Sequence, residues 1–175
     1  IATALWTMSD HLPVVAVLQL PAKLAAASQL DFGPVIAGAT AGQNLAVTNI
    51  ATVPGDSLRY GLAAPSGFSA AAGTFVLAAG SVTGEQTITM DTGTPGAKNG
   101  TLTLASNDPD TSAKAVLLSG TVLRHAVASL DSLAAVTADT LDFGELPKAA
   151  FSDQLARVFN PGYDADPSSE LEAEL

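Results

Sequence analysis

The chain has 175 residues, 47% hydrophobic and 14% charged, with a net charge of −10 from 17 acids and 7 bases. That apolar content is enough for a packed core and excludes a chain disordered throughout. The bases do not cluster, which excludes a phosphate-reading nucleic-acid surface, and the lack of cysteine excludes disulfides and thiolate metal sites.

No apolar run reaches the roughly 18 residues of a membrane span. The chain opens at Ile1 without an initiator Met or a basic segment ahead of an apolar one, so no signal peptide is visible. It reads as part of a longer polypeptide.

Residues 1–20 hold a loop, Ser9-Asp10-His11, closed by Pro13 and followed by an apolar, β-branched run from Val14 to Leu20 that reads as a buried strand. A His that titrates near neutrality takes or gives a proton at a phosphodiester, and a neighbouring carboxylate orients the imidazole or approaches a divalent ion. By residue type alone the triplet is also ordinary loop sequence. With Trp6 upstream and Leu12-Pro13-Val14-Val15 downstream, the stretch resembles the closing motif of the endonuclease/exonuclease/phosphatase family. In these DNase I-like metal-dependent phosphoesterases, Ser-Asp-His-x-Pro leads into a last core strand. The resemblance implies that His11 is the catalytic His and Asp10 its acidic neighbour near the metal. The family's other metal-binding residues and its second His have no counterpart in this chain. The site is therefore expected to be incomplete and inactive here, with no cofactor of the chain's own. Mg2+ or another divalent ion is expected for the parent enzyme.

Residues 21–29, Ala-rich and nearly uncharged, read as an extended linker. From Leu30 to Val122, short alternating runs are separated by turn residues, the pattern of a β-sandwich. Leu30-Asp31-Phe32-Gly33 opens the first strand, and Pro34 interrupts it. Gln43–Asn49 places Leu45 and Val47 on one face and Ala46 and Thr48 on the other. Leu58, Tyr60 and Leu62 alternate next, then Phe68 stands as a lone anchor, then Phe75 and Leu77 alternate. Gln86–Met90 turns Ile88 and Met90 inward. Asp91–Gly100 reads as a turn region. Thr101–Ala105 and Ala115–Val122 read as a strand pair joined by Asn107-Asp108-Pro109-Asp110. The fold class expected is all-β, an immunoglobulin-like β-sandwich of about seven strands.

Four motifs carry a second resemblance: Leu30–Gly33, Val47–Asn49, Gly100–Asp110 and Val116–Gly120. Together they are similar to bacterial choice-of-anchor D and ASPM/SPD-2/Hydin-type immunoglobulin-like repeats. That family's usual context is large extracytoplasmic or surface proteins, and it carries no catalytic motif.

Leu141-Asp142-Phe143-Gly144 repeats the opening tetrad at an offset of 141 − 30 = 111 residues. At the same offset Gln43 falls on Gln154, Val47 on Val158 and Asn49 on Asn160. Residues 141–175 therefore read as the start of a second repeat with an acidic tail, and 123–140 as a connector with a candidate strand at His125–Leu130. Two strands alone do not bury a sandwich core.

Other candidates resolve toward structure. Asp108 and Asp110 fit a turn better than calcium, which takes about six or more oxygens. His125 reads as a surface or packing residue without a partner. Asn99-Gly100-Thr101 matches a glycosylation sequon but reads as a hairpin turn.

The function expected is a non-catalytic module that spaces, anchors or presents an extracytoplasmic, bacterial hydrolase. Its partners would be its own upstream catalytic domain and cell-surface protein or polysaccharide, with no nucleic acid bound by the module and no membrane span. The alternative is a structural or adhesive surface repeat protein in which Ser9-Asp10-His11 is accidental. A third reading leaves residual phosphodiesterase activity in this chain.

Overall fold

An alternating strand buries every second side chain, so a chain of such strands must find a second sheet to cover its apolar face. A computed structural model describes residues 18–140, 142–148, 153 and 155–161. Among the described residues there are nine strands and no helix: β1 (Leu24–Ala26), β2 (Gln29–Ile36), β3 (Gly42–Asn49), β4 (Leu58–Ala63), β5 (Phe68–Ala70), β6 (Phe75–Leu77), β7 (Val82–Met90), β8 (Gly96–Ser106) and β9 (Ala113–Leu123). They form a four-stranded sheet, β1-β3-β7-β5, and a five-stranded sheet, β2-β9-β8-β4-β6. Neighbours in a sheet are mostly distant in sequence, and the N-terminal stretch is split, β1 in one sheet and β2 in the other. This is an immunoglobulin-like β-sandwich.

The inward residues interlock between the sheets. Leu45, Val47, Leu58, Ile88, Leu102, Leu104, Val116 and Val122 are fully buried. Phe32 meets Phe68 across the two sheets with ring centroids 5.5 Å apart, and within the five-stranded sheet Tyr60 meets its β6 neighbour Phe75 at 5.3 Å. The Tyr60 hydroxyl accepts from Gln86 Nε2 at 3.0 Å. Burial raises the Tyr60 pKa, and the Gln86 hydrogen bond offsets part of that rise.

The Leu-Asp-Phe-Gly motif has a mechanical role. Asp31 Oδ1 accepts from Gly33 N at 3.0 Å, and Gly33 sits at φ 64°, a conformation costly for any residue with a Cβ. The resulting bulge slips the pairing with β9, from Asp31 opposite Ser119 to Pro34 opposite Thr121. Leu30 and Phe32 point inward before it and Val35 after it, so the bulge resets which residues face the core. Pro34 is tolerated because β2 is an edge strand.

Several expectations are corrected. The strands number nine rather than about seven, since β1 and β5 are three residues each and too short to display a period. Part of the stretch read as a linker is β1, and Ala22 (1% exposed) and Leu24 (8%) belong to the core. The turn read over Asp91–Gly100 ends at Pro95, because β9 offers a ladder partner to every residue from Gly96 to Ala105. Asn99-Gly100 is accordingly mid-strand and not a hairpin turn. Gly100 is needed there for another reason: a Cβ on it would lie 2.5 Å from Pro65 Cγ. His125–Leu130 makes no strand, only an isolated bridge from Ser129 to Phe159.

Candidate functional site

Asp10 and His11, the residues that carry the phosphoesterase resemblance, lie outside the described residues. Within them, no group of three or more His, Cys, Asp or Glu side chains is placed to hold a metal ion. The polar side chains that are buried act on the backbone instead.

Asn49 is fully buried at the end of β3. A buried amide must satisfy its donors and acceptor, and Asn49 does so with four backbone groups. Its Oδ1 accepts from Lys23 N and Ala51 N, each at 3.2 Å. Its Nδ2 donates to Asp56 O at 3.0 Å and Leu77 O at 3.1 Å. One side chain thereby ties the approach to β1, the loop before β4 and the end of β6. A signal for this is present in the sequence, though it was not read there: at period 2 Asn49 falls on the same face as Leu45 and Val47.

Asp108 is the second such hub, 3% exposed. Its Oδ2 accepts from Leu24 N at 2.8 Å and its Oδ1 from Asp110 N at 2.9 Å. Burial alone would raise its pKa. The amides of Leu24, Asp110 and Thr111, with the Lys23 charge, outweigh that and hold it below the ordinary value of 3.8. Both carboxylate oxygens face N–H donors, so the loop is a clamp on β1. Asp110 points out and lies 4.0 Å from Lys23 Nζ. His125 does have a partner, contrary to expectation: its Nε2 is 3.0 Å from Ala37 O, which ties the chain after β9 back to the first module.

Among the described residues, two adjoining shallow grooves lie on the outer face of β2, β9 and β8. One is lined by Gln29, Asn99, Thr101 and Leu117, the other by Asp31, Pro34, Ala97 and Thr121, with Asn99 and Ser119 shared. Ser119 Oγ donates to Asp31 Oδ1 at 3.1 Å across the floor. The grooves present hydroxyls, amides and aliphatic surface, with no nucleophile–base pair and no cluster of charge. Their geometry suits polar contact with another surface and offers no chemistry of bond cleavage.

The two sheets define an all-β, immunoglobulin-like sandwich. No protein-family description matches the chain, and no curated protein matches it. Among solved structures it is similar to the ASH / PapD-like domain of human CEP192, at 15% identity and TM-score 0.49, covering 67% of this chain and 97% of that one. It is also similar to a Porphyromonas gingivalis protein of unknown function, at 20% identity and TM-score 0.49, covering 63% of this chain and 56% of that one. The periplasmic chaperone SfaE is similar at 15% identity and TM-score 0.44, with 57% of each chain covered.

Proposed function

We propose that the chain is a non-catalytic module of the choice-of-anchor D or ASPM/SPD-2/Hydin type, joined to an extracytoplasmic bacterial hydrolase of the endonuclease/exonuclease/phosphatase family. Its work is to space, anchor or present that enzyme. The observation that carries the reading is the order of the chain: Ser9-Asp10-His11-Leu12-Pro13 and a β-branched run stand immediately ahead of a self-sufficient sandwich. In the sandwich, the buried Asn49 and Asp108 are spent on holding backbone. The outer grooves over β2, β9 and β8 suit contact with cell-surface protein or polysaccharide. His11 acts on phosphate only together with the metal-binding carboxylates of the parent, where Mg2+ or a similar ion is the cofactor.

Determining the coding sequence directly ahead of Ile1 tests this. A segment with paired metal-binding carboxylates and a second His is the expected result. Further Leu-Asp-Phe-Gly repeats in that place would overturn it in favour of a second reading, a structural or adhesive surface repeat protein. That second reading draws on the recurrence of the tetrad at Leu141–Gly144. Residual activity in the chain itself is checked by magnesium-dependent cleavage of a chromogenic phosphodiester, expected to be absent.

A further inference from the structure

The repeat that begins at Leu141 by its tetrad begins earlier by its structure. In the first module, β1 runs antiparallel to β3 with Leu24 opposite Asn49 and Ala25 opposite Thr48. The residue before Leu24 donates its amide to the Asn49 side chain, Lys23 N to Oδ1 at 3.2 Å. In the second copy, Ser129 and Phe159 form an antiparallel bridge, exchanging hydrogen bonds of 2.9 and 2.7 Å. One step along, Ala128 falls opposite Asn160, and Val127 N donates to Asn160 Oδ1 at 3.0 Å. Asn160 is the residue that falls on Asn49 at the 111-residue offset. The register and the side-chain hydrogen bond both recur.

The tetrad recurs in geometry too. Asp142 Oδ1 accepts from Gly144 N at 2.8 Å, and Gly144 has φ 64°, the value found at Gly33. Sequence comparison misses the first strand because it sits at a different offset, 127 − 23 = 104. The seven additional residues, 111 − 104, have a place: Leu130 N donates to Val136 O at 2.8 Å and closes residues 130–136 into a loop. Ser129, 2% exposed, pins that loop by accepting from Asp131 N at 3.1 Å and Val136 N at 2.9 Å. Asp131 Oδ1 accepts from Leu133 N and Ala134 N at 2.7 and 2.9 Å.

We infer that the second repeat starts at Val127, held in register by an Asn160 clamp, and that residues 124–126 are the whole joint between the two repeats. This goes beyond the proposed function, since it concerns how stiffly the repeats are coupled. An unstructured connector over 123–140 would let its ends wander by about 5–6 Å × √18, roughly 21–25 Å. A joint of three residues reaches at most about 10 Å. It is pinned on the first module by Ala37 N to Leu123 O at 2.8 Å and by His125 Nε2 near Ala37 O at 3.0 Å. The clamp matters because burial does not yet set the register. Phe143 is 48% exposed and Val158 39%, against 8% and 0% for Phe32 and Val47 in the first module.

Two measurements on the full chain test the inference. Amide exchange by NMR is expected to be at least about ten-fold slower than random coil at Val127, Ser129 and Phe159, and Asn160→Ala is expected to remove that protection while β3 and β7 keep theirs. The chain has no cysteine, so spin labels at Glu85→Cys and Arg157→Cys report the coupling directly. A single narrow distance distribution, broadened by Asn160→Ala, is expected. Random-coil exchange at the three amides, a broad distribution in the unmutated chain, or an Asn160→Ala chain that behaves identically would each overturn it.

Discussion

Replacing Asn49 by Ala should remove a large share of the sandwich's stability without removing any apolar contact. Four hydrogen bonds disappear, each with a net worth of about 0.5–1.5 kcal/mol, which brackets the loss at roughly 2–6 kcal/mol. The two accepted at Oδ1 are long, at 3.2 Å, so the lower half of that range is expected, about 3 kcal/mol. Against a typical domain stability of about 5–15 kcal/mol, this is readily measured as a shift in the urea midpoint at constant slope. Asn49→Asp sharpens the test because it keeps the shape. It retains an acceptor for Lys23 N and Ala51 N but turns an oxygen toward Asp56 O and Leu77 O. The ionised carboxylate is then disfavoured in the fold, so its folded pKa rises above its unfolded one. Stability of this variant is expected to be highest in acid and to fall as pH rises through that folded pKa. A loss under about 1 kcal/mol for Asn49→Ala, or an Asn49→Asp chain as stable as the native one at neutral pH, would refute the hub.

Asp108 carries the opposite sign. Its pKa is held below 3.8, so its contribution is present above that value and lost as pH falls through the folded pKa. Asp108→Asn should cost roughly 1–3 kcal/mol at pH 7 and flatten the acid limb of a stability–pH profile; an unchanged acid limb would count against the clamp. Phe32→Ala opens a cavity beside Phe68 and should cost about 3–5 kcal/mol in a urea melt, with no loss removing Phe32 from the core. Gly100→Ala drives a methyl into the Pro65 ring and should cost about 1–3 kcal/mol. Equal stability by thermal melting would mean that the loop before β5 gives way freely.

The Leu-Asp-Phe-Gly tetrad illustrates where reading the sequence stops. It occurs twice in the chain, yet the bulge that resets the inward face of β2 is seen only when β9 lies alongside. Likewise Asn49 was readable as the end of a strand, but its four partners come from residues 23, 51, 56 and 77, and no local pattern connects them. The Asp108 carboxylate reads as a turn residue because its bond to Leu24 spans 84 positions.

Side-chain alternation by itself determined the all-β class and the inward residues of β3, β4, β7, β8 and β9. Period-2 burial is a local property and is written in the order of residues. Tertiary structure alone decided the pairing of β1 with β3, the extension of β8 back to Gly96 and the work of the buried polar groups. Each of these depends on which backbone amide or carbonyl arrives opposite a given side chain, and that is fixed only when distant strands meet.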